Sequence, residues 1–216
     1  MTGLPLLLDL YGRRVLVVGG GQVATRRVRR LLDAGADVLV VAPQIAPAIS
    51  ALGVRCELRR FEPADVGGAW LVFACAGEPG VNVEVADAAH ARGTFCVRAD
   101  AAAGGSARMS AVLNRDGLVV AVNGGDDPRR AAALRDAISL ALDAGTLPAR
   151  RVRPATVGSV ALVGGGPGDP ELITVRGRRL VAQAEVVVVD RLAPRELLDE
   201  LADDVELIDC GKAAHR

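Results

Sequence analysis

The sequence predicts an α/β protein that is built on a parallel sheet and followed by a second, partial α/β unit. Short β-branched runs alternate with helical patterns along the first half of the chain, an arrangement typical of β-α-β units with right-handed crossovers. Val, Ala, Leu and Gly dominate a chain that is 50% hydrophobic, as expected for strands covered on both faces. Two of the runs, beginning at Val15 and Val160, end in three consecutive glycines that mark tight turns.

The first half of the chain has an ordered set of predicted elements. Strands are predicted at residues 15–18, 37–41, 54–60, 70–74, 94–97 and 118–122. Helices are predicted over 22–34 and 81–92, where apolar residues recur at helical spacing and Gly35 and Gly93 follow as stops. The run LLLDL, residues 6–10, is expected to form a short edge strand that turns back into the first long strand.

The second half predicts one amphipathic helix, a linker and a further β-α-β pattern. The helix spans 127–145, with Pro128 in its first turn and Gly145 at its end. The further pattern consists of strand 160–163, helix 171–183, strand 186–190, helix 194–202 and strand 205–208. So short a pattern buries too little surface for a comfortable domain, and it is expected to be the first part of something larger. The predicted layout is 1–113 for the parallel-sheet domain, 114–145 for a helical and dimerisation segment, 146–157 for a linker and 158–216 for the partial unit.

Charge and cysteine content exclude several classes of protein. The 26 basic and 26 acidic side chains cancel, which argues against a general nucleic-acid or membrane-surface binder. Four cysteines are widely spaced and only two histidines are present, so no metal site is predicted. The amino terminus lacks the basic start of a signal peptide, and no uncharged stretch reaches the length of a membrane span. A reducing, cytoplasmic compartment is expected.

The first glycine turn fits the pattern G-x-G-x-x-A between a strand and a helix, which predicts a Rossmann-like dinucleotide site. Gly19 would permit the tight turn, Gly21 would let backbone amides approach a pyrophosphate, and Ala24 would keep helix and strand close. The alternative is a merely tight β-α turn. The acidic residue expected after the second strand is replaced by Pro43 and Gln44, so adenosine binding must depend on backbone groups or on Gln44. The choice between NAD and NADP is left open.

Two longer stretches resemble the siroheme synthase family. GGGQVATRRVRRLLDAGADVLVVAP and FCVRAD are similar to its N-terminal module, which acts as precorrin-2 dehydrogenase and sirohydrochlorin ferrochelatase. VALVGGGPGDPELITVRGRRLVAQAEVVVVDRL resembles the start of its uroporphyrinogen-III C-methyltransferase module. The family carries the two modules in this order on one chain. The resemblance therefore implies NAD at the first glycine turn and S-adenosyl-L-methionine at the second, within a partial α/β methyltransferase domain.

The resemblance also implies a reaction for the first module. NAD+ accepts a hydride from precorrin-2, an octacarboxylate tetrapyrrole, while a base removes a proton, and ferrous iron then enters sirohydrochlorin as a substrate. Asp100 matches the family's catalytic aspartate, and Gln22 and Val23 join the glycines as cofactor-binding positions. An ordinary solvated loop aspartate is the alternative for Asp100. Arginines 98, 108 and 115 are candidates for pairing with substrate carboxylates, whereas arginines 26, 27, 29 and 30 are interpreted as a solvated helix face.

In the second module, the resemblance assigns Asp190 as proton acceptor, Lys212 as proton donor and Pro167 as a cofactor contact. Asp169 is interpreted as a loop-stabilising residue. The later glycine-rich segments of the family's methyltransferase pocket do not occur, so the chain as given is expected not to methylate. Whether the substrate metal is iron or cobalt stays open.

The chain departs from the family at three places. The usual Thr-Asp turn after strand 70–74 is replaced by Cys75-Ala76-Gly77, the glycine turn after strand 118–122 is shortened, and the following helical extension is reduced. A homodimer is expected, as in the family. A non-catalytic NAD-binding sensor or assembly module is the alternative function. A short-chain dehydrogenase is disfavoured because Tyr11 is the only tyrosine and no Tyr-x-x-x-Lys pair exists.

Overall fold

The computed structural model describes residues 3–115, 117–147, 158–190, 192–199, 201 and 205–211. The chain divides into two compact units, one ending at Ser110 and the other beginning at Ala111. Most of the linker predicted at 146–157 lies outside the described residues. No helix in the described ranges is long and apolar enough to cross a membrane.

The first unit is a Rossmann-like parallel sheet, as predicted. Its strands are β1 (Arg14–Val18), β2 (Asp37–Val41), β3 (Arg55–Glu57), β4 (Leu71–Ala74) and β5 (Phe95–Arg98). Its helices are α1 (Gln22–Asp33), α2 (Pro47–Ser50) and α3 (Pro79–His90). The strand order is β3-β2-β1-β4-β5, and every neighbouring pair is parallel. The order reverses between β1 and β4, and ligands bind at the carboxyl ends of strands on either side of such a reversal.

The β-branched runs form the centre of this sheet because both of their faces are covered. Val15 and Val17 belong to one buried cluster, which includes the apolar face of α1. Leu16 and Val18 belong to a second cluster on the opposite face, packed against α3. A central strand covered on both faces has no solvent-facing position, which explains why β1 shows no alternation with polar residues.

Two predictions for the first unit are wrong in detail. Residues 6–10 form no strand, and Leu6 and Leu7 are exposed. β2 and β4 already pair with the two edges of β1, so residues 6–10 have no free edge of β1 to pair with. The strand predicted at 54–60 is hydrogen-bonded only over Arg55–Glu57.

The second unit begins with an antiparallel hairpin and a long helix. Strand β6 (Ala111–Arg115) pairs with β7 (Leu118–Val122). Helix α4 (Pro128–Ala144) starts at Asp127, whose side chain accepts the first backbone N–H groups, and ends at Gly145 with a φ of 74°. The sequence analysis did not predict β6, because its residues are only partly buried and its last two are polar.

The rest of the second unit contains α5 (Val175–Ala182), preceded by a 3-10 turn at Pro170–Leu172, and two parallel strands, β8 (Val186–Val189) and β9 (Glu206–Asp209). The strand predicted at 160–163 is absent. A strand needs a hydrogen-bonded neighbour, and this segment finds none in the described part of the chain, so Val160 and Leu162 are 95% and 98% exposed. The helix predicted at 194–202 is present in the described residues only as a 3-10 turn at Arg195–Leu197.

Candidate cofactor and catalytic site

The turn after β1 lies between the loops that follow β2 and β4. Gly19 has a φ of 125° and donates its N–H to the carbonyl of Val41 at 3.0 Å. A Cβ on Gly19 would collide with the backbone carbonyl of Cys75, and one on Gly20 would collide with that of Gln44. Both glycines are therefore required by packing against neighbouring backbone. The sequence analysis assigned a role to Gly19 but none to Gly20, although the unbroken triple glycine was a signal for it.

The third glycine leaves its surroundings open. A Cβ on Gly21 would meet nothing within 4 Å, and Gly21 is the N-cap of α1. No side chain caps this helix, and its first turn contains no acidic residue. The first backbone N–H groups therefore face a space that an anion can enter, and the helix dipole favours that charge. Ala24 is fully buried, as its predicted role in close helix–strand packing requires.

The other predicted cofactor contacts surround this opening. Gln22 and Val23 are exposed in the first turn of α1, and Pro43 and Gln44 are exposed in the loop that follows β2. The backbone of that loop touches the glycine turn, since Ala46 donates its N–H to the carbonyl of Gly20 at 2.9 Å.

Asp100 follows β5 and is paired with Arg98 through both carboxylate oxygens. The Nε and Nη2 of Arg98 donate to the two oxygens at 3.2 Å and 2.7 Å. These side chains are 12% and 27% exposed respectively. Hydrogen bonding from Arg98 lowers the pKa of Asp100, so the carboxyl is ionised at neutral pH.

A buried asparagine connects the turn after β4 with this carboxylate. Asn82 on α3 is 1% exposed; its Oδ1 accepts the N–H of Ala76 at 2.9 Å and its Nδ2 donates to the carbonyl of Ala76 at 3.0 Å. Hydrogen bonding from this amide also lowers the pKa of Asp100, less than Arg98 does. Asn82 was not among the predicted site residues. Its signal was a polar residue adjoining the apolar stripe of a predicted helix.

Cys75 directly follows β4 and is buried beside the end of β1. Its N–H donates to the carbonyl of Val18 at 2.8 Å, and its own carbonyl faces Gly19. Burial raises the pKa of its thiol to about 11, although Arg27 acts in the opposite direction. Arg27 itself is half-buried, unlike the exposed Arg26, so the interpretation of these arginines as a solvated face does not hold for Arg27.

The structure thus places three predicted features at one end of the parallel sheet. The glycine turn follows β1, the Cys75–Ala76 turn follows β4, and Asp100 follows β5. Direct contacts link Gly19 to Cys75, and the side chain of Asn82 joins Ala76. An anion-accepting helix start and an ionised carboxylate at one edge of the sheet are the parts that proton abstraction beside a dinucleotide requires.

In the second unit, only some of the predicted site residues can be described. Asp190 follows β8 and is exposed, and its side chain accepts the N–H of Leu192 at 2.9 Å. Pro167 is exposed in the second glycine turn, and Lys212 lies outside the described residues. Asp169 accepts the N–H of Glu171 at 2.9 Å, which confirms its interpretation as a loop-stabilising residue.

Among the arginines considered for substrate carboxylates, two already have acidic partners. Arg98 is paired with Asp100, and Arg115 is paired with Asp143 at 2.8 Å and hydrogen-bonded to Ser139. Their assignment to substrate stays a prediction.

Fold and site together define a dinucleotide-binding α/β protein that continues into a second, different module. Residues 6–111 match a family of NAD(P)-binding domains, and residues 159–215 match the tetrapyrrole (corrin/porphyrin) methylases. A solved structure of SirC, a precorrin-2 dehydrogenase, is similar with a TM-score of 0.56 and 28% identity, covering 64% of this chain and 70% of that one.

Curated relatives match this chain along nearly its whole length. The siroheme synthases of Pseudomonas fluorescens (strain Pf0-1) and Azotobacter vinelandii (strain DJ) are each 34% identical over 98% of this chain. The chain belongs to the siroheme synthase family, and it spans 58% of the length of these relatives.

Proposed function

We propose that this chain performs a step of siroheme biosynthesis, in which the first unit oxidises precorrin-2 to sirohydrochlorin with NAD+. The observation that carries the proposal is that an open, uncapped glycine turn and the ionised carboxylate of Asp100 share one end of the sheet. The relatives named siroheme synthase and the similar structure named precorrin-2 dehydrogenase support it.

The residues around the glycine turn fit a dinucleotide. The open space at Gly21 and the uncapped first turn of α1 suit a diphosphate, with Gln22 and Val23 at its edge. Pro43 and Gln44 are proposed to contact the adenosine half. When bound, the nicotinamide supplies the acceptor for a hydride. The chain's own contribution is to hold the dinucleotide against the turn at Cys75, which lies at the strand-order reversal.

Asp100 is proposed as the proton acceptor. Oxidation of precorrin-2 removes two hydrogens, one as a hydride to NAD+ and one as a proton to a base, so the products are sirohydrochlorin, NADH and a proton. Asp100 is ionised because Arg98 lowers its pKa, and its side chain keeps 27% of its surface open to a substrate. A carboxylate that is paired on one side retains lone pairs on the other with which to take a proton.

The same carboxylate is proposed to assist insertion of ferrous iron into sirohydrochlorin. Two pyrrole N–H protons must leave for each metal ion that enters, and Asp100 at the substrate face can accept them in turn and pass them to water. Ferrous iron is a substrate here, and a comparison of ferrous and cobaltous ions in the same assay decides which is used.

The second unit is proposed to contribute to methyl transfer from S-adenosyl-L-methionine within the full-length protein only, because this chain as given is expected not to methylate. Pro167 is the proposed cofactor contact, and Asp190 and Lys212 are the proposed proton acceptor and donor. We further propose a homodimer located in the cytoplasm. Analytical ultracentrifugation of the full chain tests the dimer directly.

The decisive experiment follows precorrin-2 absorbance with NAD+ or with NADP+, and then adds ferrous iron. We expect oxidation with NAD+ in the wild type. Asp100→Asn, which is isosteric, should retain NAD+ binding in calorimetry and lose oxidation by about 100-fold or more, the range typical of general-base catalysis.

Asp136→Asn, at an exposed carboxylate of α4 in the second unit, serves as the matched control and should oxidise normally. A wild-type chain that binds NAD+ but does not oxidise precorrin-2 would instead favour a sensor or assembly module. Failure to bind either nucleotide would refute the cofactor assignment itself.

A further inference from the structure

Arg98 occupies a site shaped to hold its guanidinium beside Asp100. The two side chains are joined by a two-point ion pair with a shortest distance of 2.7 Å. Arg98 is the last residue of β5, and Asp100 follows it by two positions. The ion pair shows that both side chains point to the same side of the chain at the end of β5.

The chain after Asp100 returns along β5 and completes this site. The N–H of Ala107 donates to the carbonyl of Cys96 at 3.0 Å, and the N–H of Cys96 donates to the hydroxyl of Ser106 at 2.9 Å. Gly104 lies between Asp100 and these contacts. A Cβ there would approach the Nη1 of Arg98 to 2.5 Å and its Cδ and Cζ to 3.1 Å. Because Gly104 has no side chain, the guanidinium of Arg98 can occupy the space where a Cβ would lie.

The groups that face the pair come from three elements. The turn after β4 contributes the neutral, buried thiol of Cys75, and α3 contributes the amide of Asn82 and the carboxylate of Asp87. β5 itself contributes Cys96, whose thiol pKa is raised by burial. Among these groups, the cation that contacts Asp100 is Arg98.

We propose that Arg98, held in the space at Gly104, is a positioning residue that fixes the orientation of the Asp100 carboxylate toward the tetrapyrrole. The proposal rests on the proposed function of Asp100. It differs from the sequence-based expectation that Arg98 binds a substrate carboxylate, because the guanidinium is 12% exposed and both of its bonded nitrogens are directed at Asp100. Two-point geometry fixes the plane of a carboxylate, which a single point charge does not.

Three variants separate position from charge. Arg98→Met removes the cation, Arg98→Lys keeps a charge but loses the fork, and Gly104→Ala keeps Arg98 while displacing its guanidinium. Gly104 has no positive φ and its nearest neighbour would be a flexible side-chain end, so the alanine variant should fold. Gly80→Ala, where a Cβ meets nothing within 4 Å, is the matched control.

The first readout is kinetic. We expect kcat for precorrin-2 oxidation to fall by about 10- to 100-fold in all three Arg98 and Gly104 variants, because misplacement of a reacting group by about 1 Å has an effect of this size. The Kd for NAD+ and the KM for precorrin-2 should change less than about threefold, and Gly80→Ala should behave as wild type. A rise in KM with kcat unchanged would overturn the proposal in favour of substrate binding by Arg98. An unchanged or faster kcat in Arg98→Met and Gly104→Ala would overturn it as well.

The second readout does not depend on the reaction. Carbon-13 NMR of the aspartate carboxyl groups follows the titration of Asp100 in the nucleotide-free protein. We expect its pKa to rise in Arg98→Met and to rise less in Arg98→Lys. If the pKa of Asp100 were the same in the wild type and in Arg98→Met, the proposed role of the ion pair would be overturned, even if the wild type oxidises precorrin-2. A shifted pKa in a protein whose wild type lacks oxidation would instead locate the failure in the proposed function.

Discussion

Replacing Asn82 with alanine should release the turn after β4 from helix α3. The substitution removes both hydrogen bonds to Ala76, at 2.9 Å and 3.0 Å, from a side chain that is 1% exposed. A buried polar group left without a partner costs about 1–3 kcal/mol. Ala76 is half-buried and water reaches part of it, so the lower end of that range applies to its N–H and to its carbonyl. The free energy of unfolding should therefore fall by about 2 kcal/mol.

Urea unfolding measures this loss in the first unit alone. Trp70 is the only tryptophan of the chain and lies next to β4, so its fluorescence reports the unit that contains Asn82. With a slope of about 2 kcal/mol per molar urea, the midpoint should fall by about 1 M. Oxidation of precorrin-2 should fall by about tenfold in urea-free buffer, because the turn facing the glycine motif is no longer held.

Asn82→Asp refines this test. It keeps an oxygen that accepts the N–H of Ala76, loses the donor to the carbonyl of Ala76, and adds a negative charge near Asp100. Its stability should fall at least as far as that of Asn82→Ala, because a buried carboxylate oxygen would face the carbonyl oxygen of Ala76, and the pKa of Asp100 should rise. The reasoning would be refuted if Asn82→Ala unfolded at the wild-type midpoint and oxidised precorrin-2 at the wild-type rate.

Three further outcomes are expected. Gly21→Ala should keep its stability, since a Cβ there meets nothing, while weakening NAD+ binding by about tenfold in calorimetry as the methyl group enters the diphosphate space. Iodoacetamide at pH 8 should label exposed Cys210 far faster than Cys75, whose pKa of about 11 leaves about one thiol in a thousand ionised; equal rates by mass spectrometry would contradict the burial. Hydrogen bonding from Arg59 lowers the pKa of Asp65. This ion pair therefore stabilises the fold above the usual pKa of a carboxyl group, and the stabilisation is lost as the pH falls through the lowered pKa. In Arg59→Met the free energy of unfolding should fall less steeply as the pH is lowered into the acid range.

The parallel sheet and its glycine turn could be predicted because they depend on local patterns. The strand core of β1 and the start of α1 follow from β-branched runs, helical spacing and the φ freedom of glycine at Gly19. The stop at Gly145 was predictable for the same reason, since a left-handed φ at a helix end favours glycine.

The contacts that build the site could not be predicted in the same way. The role of Gly20 depends on a loop more than twenty residues away, and the role of Asn82 depends on a turn that its helix packs against. The Arg98–Asp100 pair is local in sequence, but the space that holds it comes from Gly104. Strand 160–163 was wrongly predicted because a β pattern in sequence does not supply a partner strand.

Cys75 and Asp100, which follow β4 and β5 at one end of the sheet, have pKa values moved in opposite directions. Burial raises the pKa of Cys75 to about 11, so the thiol holds its proton at neutral pH. Arg98 lowers the pKa of Asp100, so that group is an anion at the same pH. Only the anion can accept a proton from substrate, although a lowered pKa makes it a weak base. A weak base is sufficient if hydride departure comes first, because loss of a hydride leaves a cationic tetrapyrrole whose proton is strongly acidic. In the proposed reaction we therefore expect hydride transfer ahead of, or together with, proton loss. A primary isotope effect on the hydride position should then be present in the wild type, and its absence alongside a large solvent isotope effect would contradict this order.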